Sequence, residues 1–595
     1  MKAPFLLAAI AAASSAPAQQ DGGALFQKHC DACHRSGGAT RAPLPDAMRS
    51  MTAEAVLAAL ESGSMKAQGA SLPAADRQTL AKFLGLAVKT SEHPTGICAP
   101  DTPATSDSSY WNGWGVDMEN TRFQTARMAG LDESKVPNLK LKWAFGFSGA
   151  NTVFAQPAIV GGKMFFGSGD GTVYAVNAKT GCIYWTFKAS ATVRTAISVG
   201  AVIAGHYTLF FGDVKAFVYA VDSQTGKQVW RVQVDDHPLA RVTGAPKLWN
   251  ERLYVPVSGV EEVSAGNPRY ECCTSRGSLV ALEGATGKQI WKSYTIPTAP
   301  KATGKNSAGT QLHGPSGASV WLSPTIDATR RLVYVGTGNE YSAPGTEFSD
   351  AVIAFDVDSG AMKWSRQLTP GDGWNFGCST AAGPNCPEGH GPDVDIGASP
   401  ILRKFAGGKD VLLVGQKSGV VYGLDPNGNG KILWQTRIGK GGALGGIQWG
   451  MAADDKVVYA ALSDRKPGKW EEEGGLFALD ILTGKKLWNT PAPKPACLGK
   501  PNCSAAQMAP VTLIPGVAFS GSMDGHIRAY STKDGKIIWD FDTLHEFETV
   551  NGVNAKGGSL NASGVVVVNG TAYVNSGYGA LAGMPGNVLL AFAAE

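Results

Sequence analysis

Charge is scarce in this 595-residue chain. Only 17% of its residues are Asp, Glu, Lys or Arg, and 53 basic side chains nearly balance 49 acidic ones. The formal net charge is +4 and no dense basic stretch stands out, so no nucleic-acid partner is expected. Also missing are a G-x-G-x-x-G after a strand pattern, a Walker loop and an H-E-x-x-H, which removes sequence support for nicotinamide, ATP and zinc-protease chemistry. No apolar run beyond the first twenty residues is long enough to cross a bilayer, so the mature protein is expected to have no membrane span. The one notable apolar run, Phe5 to Ala13, is short. It follows Met1-Lys2 and precedes Ala16-Pro17-Ala18, the layout of a secretory signal peptide over residues 1–18. That predicts a periplasmic protein whose ten cysteines are free to form disulfides. The first of them, Cys30, lies well past the cleavage site, so it is no lipid anchor.

What the chain has in abundance is glycine, 75 residues, and a repeated phrase. Residues 19–90 carry helical apolar spacing around Leu80, Phe83 and Leu84; residues 91–109 read as a Pro/Thr/Ser linker; residues 110–595 are short β-branched and aromatic runs parted by Gly, Asn and Asp. In the last region Asp170-Gly-Thr-Val-Tyr-Ala-Val-Asn-Ala-Lys-Thr-Gly leads to Trp185. Related phrases lead to Trp230, Trp291, Trp364, Trp434, Trp488 and Trp539. An eighth copy is split between residues 586–592 and residues 139–143, ending at Trp143. Seven whole copies and one shared between the ends predict a mainly β fold, an eight-bladed β-propeller whose last blade is closed from both ends of the region. The Thr-Gly is a tight turn, and the following Trp is expected to pack between blades.

Cys30-Asp-Ala-Cys33-His34 is a C-x-x-C-H motif, the covalent attachment site of haem c, with His34 as an axial iron ligand. The helical module holds no second pair of cysteines or histidines to complete a zinc site. A small all-α cytochrome c domain is therefore expected. Met65, in the loop before the last helix, is the candidate sixth ligand, with Met48 and Met51 as alternatives.

Departures from the repeat mark the place where function is expected. Three long insertions carry Ser258-Gly-Val-Glu-Glu262 with Tyr270-Glu-Cys-Cys-Thr-Ser-Arg-Gly277, Val320-Trp321 with Gly336-Thr-Gly-Asn-Glu340, and Gln367 to Asn375. Together with the haem module and the lead-in Trp111-Asn-Gly-Trp-Gly-Val-Asp-Met-Glu-Asn-Thr-Arg-Phe, these resemble the quinohaemoprotein alcohol dehydrogenases that use pyrroloquinoline quinone (PQQ), and most closely their polyvinyl alcohol dehydrogenases. The resemblance covers essentially the whole mature chain. It implies a calcium ion held with the quinone by Glu261 (or Glu262) and Asn339, hard oxygen ligands for a hard cation. It implies Trp321, eighteen residues before Asn339, as the flat floor beneath the quinone. Arg194 and Lys417 would pair with quinone carboxylates and carbonyls, and Gln448 and Trp449 would line the same site. Asp372 would be the base that takes the alcohol proton, with Asp393 and Asp395 in reserve.

The eight cysteines outside the haem motif divide by spacing. Cys378 with Cys386 and Cys497 with Cys503 read as local staples, and Cys98 and Cys182 remain to tie the linker to the first blade. The resemblance implies that adjacent Cys272 and Cys273 form a vicinal disulfide stacked on the quinone. In the methanol-oxidising relatives that pair precedes the calcium Glu, whereas here it follows Glu261; Asn375 stands where many relatives carry a second aspartate. The expected partners are a polymeric or small alcohol and an external electron acceptor such as a soluble cytochrome c. A non-enzymatic scaffold propeller is the alternative from a different class.

Overall fold

The computed structural model describes residues 21–34, 45–48, 51, 53–61, 65–85, 96–99, 109–203, 206–379, 382–466, 468–580 and 582–594. The expected signal segment, residues 1–18, and most of the linker lie outside these residues.

The β region is eight antiparallel blades, seven of four strands and one, the third, joined by a fifth short strand at Ala240–Arg241. Blade 1 runs Ala158–Val160, Lys163–Gly167, Thr172–Asn177 and Ile183–Lys188. Blades 2 to 7 follow over residues 198–233, 247–294, 325–367, 401–437, 452–490 and 512–542. In blade 8 the C-terminal strand Val588–Ala594 pairs with Leu139–Gly146, Gly146 lying opposite Val588. The split copy read from the sequence is this closure, and it leaves no blade as an open sheet end.

The repeated phrase has a packing cause. The glycine that ends each turn lies under the tryptophan of the preceding blade. A Cβ on Gly226 would fall 2.7 Å from the Trp185 ring, and one on Gly287 2.7 Å from Trp230. In six of the eight copies the indole N–H then reaches a backbone carbonyl of the next blade, among them Trp230 to Gly284 at 2.9 Å, Trp434 to Ile481 at 2.8 Å and Trp488 to Thr532 at 3.0 Å. Trp539 bonds Leu139 at 3.2 Å, so the same strap crosses the closure. The aliphatic cores lie between neighbouring blades, as where Phe210, Val218 and Trp230 of blade 2 meet Leu253, Val255 and Val280 of blade 3.

The lead-in segment, residues 111–124, plugs the ring. It bonds the first strand of blade 1 (Trp111 N to Ile159 O, 2.9 Å), of blade 2 (Asn112 Nδ2 to Val199 O, 2.7 Å) and of blade 4 (Ile326 N to Met118 O, 2.9 Å). It continues to blade 5 (Leu402 N to Glu119 O, 3.1 Å), blade 6 (Ala453 N to Thr121 O, 2.9 Å) and blade 7 (Gln124 N to Leu513 O, 2.8 Å). Lys247 of blade 3 donates to Asp117 O at 2.7 Å, and Gln124 reaches Val567 O of blade 8 at 3.2 Å. One stretch of fourteen residues thus touches all eight blades.

The N-terminal module is helical, with Gly22–His29, Ala53–Glu61 and Ala74–Leu84 packing around Leu25, Phe26, Val56, Leu60, Leu80 and Leu84. Gly22 lets its helix meet the last one; a Cβ there would sit 2.4 Å from Phe83 Cβ. Four disulfides form: Cys98–Cys182, Cys272–Cys273, Cys378–Cys386 and Cys497–Cys503. Cys30 and Cys33 alone among the described cysteines take part in no disulfide, as haem attachment requires.

Candidate functional site

A small cavity of about 20 Å³ lies beside the plug, lined by Trp114, Phe154, Arg194, Thr243, Trp321 and Trp449 among others. Inner-strand ends and interblade loops place these side chains. Trp321 precedes the first strand of blade 4, and Trp449 precedes that of blade 6. Their rings meet edge to face, centroids 5.2 Å apart at 87°. The Arg194 guanidinium lies 4.6 Å from the Phe154 ring centroid and 5.5 Å from that of Trp449. No carboxylate lies within ion-pair distance of it among the described residues, and burial lowers its pKa. Arg241 adds a second guanidinium that the sequence reading missed. Burial first, then Arg194, push its pKa down to about 10, while Glu262 opposes them. Two cations crowded into a desolvated site, with Glu262 acting only on Arg241, suit a polyanionic guest.

Lys417 stands 5.8 Å over the Trp321 ring and holds Asp395 at 2.6 Å and Asp393 at 3.1 Å. Asp395 accepts the Asn339 backbone N–H at 2.8 Å. The Asn339 amide donates to Trp374 O at 2.6 Å and Glu340 O at 3.2 Å, which leaves its Oδ1 as the acceptor end. Asp372 sits behind this layer rather than on the cavity wall. It is almost fully buried, and its carboxylate accepts Asp393 N at 3.0 Å and Val394 N at 2.6 Å. Burial raises its pKa, against the lowering effect of those two bonds, and Asp395 and Asp393 raise it further. Asp350, which no sequence signal marks, is fully buried with both carboxyl oxygens lacking a hydrogen-bond donor; burial and Asp372 hold its pKa well above the usual carboxylate range. Glu340, beside them, is pushed up to about 7 by burial.

Three further expected groups lie off the cavity wall. Glu261 is fully buried and turned inward: its carboxylate accepts Thr274 N at 2.9 Å, Ser275 N at 2.6 Å and Tyr270 Oη at 2.9 Å, so it braces the disulfide loop. Glu262 instead acts electrostatically on Arg241 and on Tyr341, which also senses Asp395. Cys272 and Cys273 are fully buried with Ala265 and Tyr341 and do not line the cavity, because the Glu261 brace holds their loop behind it. Gln448 does not line the cavity either; its amide turns back to Gly445 O, within its own loop. Asn375 is structural, its amide donating to Tyr341 O and Asn385 O at 2.8 Å each.

In the helical module His34 is buried, its ring 6.4 Å from Phe26. Met48 is a core residue, while Cys30, Met51 and Met65 are part-buried at the edge of the same cluster.

Comparison with known proteins agrees with this architecture. Residues 111–385 match the β-propeller domain model of glucose/ethanol/alcohol dehydrogenases, and residues 416–587 that of outer membrane protein assembly factor BamB. Residues 17–84 match the model of cytochrome c oxidase, cbb3-type, subunit III. A polyvinylalcohol dehydrogenase of Pseudomonas sp. is 40% identical over 100% of this chain and 97% of its own length. This chain belongs to that family. A second such enzyme, from Sphingopyxis sp. (strain 113P3), is also 40% identical, over 97% of this chain and 94% of its own. The crystal structure of the quinohemoprotein alcohol dehydrogenase from Comamonas testosteroni superposes with a TM-score of 0.61 at 20% identity, covering 82% of this chain and 80% of that one, and shows the shared fold. The protein is a PQQ-dependent alcohol dehydrogenase with a fused cytochrome c domain, and the cofactors that go with the family are PQQ, haem c and calcium. The BamB match reflects the blade repeat that both kinds of propeller carry.

Proposed function

We propose that this enzyme oxidises secondary alcohol groups of polyvinyl alcohol to ketones in the periplasm, the fused haem c passing electrons to an external acceptor. The observation that carries the reading is the central cavity, where the Trp321 and Trp449 indoles and the Arg194 guanidinium share one wall, with Lys417 over the Trp321 ring and bound to Asp395. The full-length 40% identity to polyvinylalcohol dehydrogenases supplies the substrate class.

The residues fit the implied groups. Trp321 offers a flat surface for a planar ring system, and Arg194 and Arg241 offer charge to its carboxylates. Lys417 is neutralised by Asp393 and Asp395, so it orders that loop as much as it contributes charge. Asn339 Oδ1 and a carboxylate of the Glu261–Glu262 pair would be the oxygen ligands for calcium, and Glu262 is favoured because the Glu261 carboxylate already accepts three donors in its loop. When bound, PQQ supplies a two-electron acceptor and calcium a Lewis acid. The family resemblance gives Asp372 the part of the base for the hydroxyl proton, and a substrate would have to reach it behind the cavity wall. Unlike Asp393 and Asp395 it has no cation beside it, and its raised pKa makes it a stronger base than an exposed carboxylate. Trp449 and Phe154 keep bulk water off the reacting groups. In the cytochrome module His34 and Met65 would hold the iron of a haem attached through Cys30 and Cys33. Met65→Ala should lower the haem midpoint potential in a redox titration, and an unchanged potential would exclude Met65 as ligand.

The substrate is tested by incubating the holoenzyme with polyvinyl alcohol and a dye acceptor, then measuring carbonyl groups formed on the polymer. Ketone formation matched to acceptor reduced supports the reading. Turnover of small primary alcohols without polymer oxidation contradicts it.

A further inference from the structure

Trp114 belongs to the plug, lines the central cavity and is nine-tenths buried, yet its indole N–H has no hydrogen-bond partner. A buried indole N–H normally finds an acceptor, and leaving it without one is costly. The residue is also held more firmly than a packing side chain needs. Its carbonyl accepts Arg122 Nη1 at 2.6 Å and Gln156 Nε2 at 2.9 Å, and the Arg122 guanidinium lies 4.8 Å from its ring. Arg122 is itself fully buried, anchored to Val511 O at 2.7 Å and Thr512 Oγ1 at 2.8 Å in blade 7. A cation over the ring face draws density from the indole and strengthens its N–H as a donor.

We infer that Trp114 is a cofactor-binding residue: its N–H donates to an oxygen of the quinone in the central cavity, and Arg122 is the positioning residue that fixes the ring. The plug is thereby part of the site as well as part of the closure. This rests on the quinone reading of the cavity, and the required guest is a planar molecule rich in acceptor oxygens, since Arg194 on the same wall also lacks an anion.

The test uses full-length, calcium-loaded protein stripped of PQQ. Binding of PQQ is measured by calorimetry for wild type, Trp114→Phe, which keeps an aromatic ring without the N–H, and Trp114→His, which keeps a ring N–H. Thermal melting serves as the folding check. Phe should weaken binding about tenfold to a hundredfold at an unchanged melting temperature, with His in between. Equal affinity of Phe and wild type overturns the inference and leaves the quinone reading intact. Absence of PQQ binding by wild type overturns both. Should neither variant fold, indole ¹⁵N–¹H spectra of the wild type decide: one resonance must move downfield on PQQ addition, and none moving overturns the inference.

Discussion

At the scale of single residues, charge without partners separates functional groups from structural ones. Asp393 and Asp395 share Lys417, and Glu261 is saturated by donors, whereas Asp372 and Arg194 have no counterion close by. Replacing Asp372 by Asn should cut turnover by about a hundredfold to ten-thousandfold while haem and quinone contents stay normal. Retained activity would move the base elsewhere. The sign of the pH dependence follows from burial: a base works deprotonated, so activity is absent below the Asp372 pKa and appears as pH rises through it. Because burial raises that pKa, the acid limb of kcat/KM should lie above the ordinary carboxylate range near 4. Trp321→Ala should weaken PQQ binding about tenfold, and calorimetry would show it.

Elements explain what the sequence disclosed and what it hid. The Thr-Gly turn and its Trp are legible because one packing event recurs around the ring: glycine admits the indole of the neighbour, and in six of the eight copies the indole N–H straps the next blade. Trp230→Ala should therefore destabilise the protein by roughly 3–5 kcal/mol, seen as a lowered melting temperature. The C-x-x-C-H motif is equally legible, being local. The choice between Glu261 and Glu262 was hidden, since it depends on which of two adjacent carboxylates meets the backbone of Thr274 and Ser275. The Cys272–Cys273 disulfide was foreseen, but its full burial, and the place of Arg241, were hidden likewise. Arg241 lies on a two-residue strand paired with Ser258 and Gly259, and only that pairing brings it to Glu262.

For the whole molecule, closure and catalysis share parts. Residues 111–124 bond all eight blades and supply Trp114 to the cavity, while blade 8 depends on the strand Val588–Ala594. Deleting that strand exposes the Leu139–Gly146 edge and the core around Leu590 and Phe592; the truncated chain should lose its cooperative melt. The cytochrome module has a purpose in this scheme only if the propeller reduces its haem. The most direct measurement is the haem absorption spectrum of the purified protein on addition of polyvinyl alcohol, with PQQ and calcium both present or each omitted in turn. Reduction by the polymer only when both are present is the predicted result; an oxidised haem under every condition, or reduction that ignores the quinone, would contradict it.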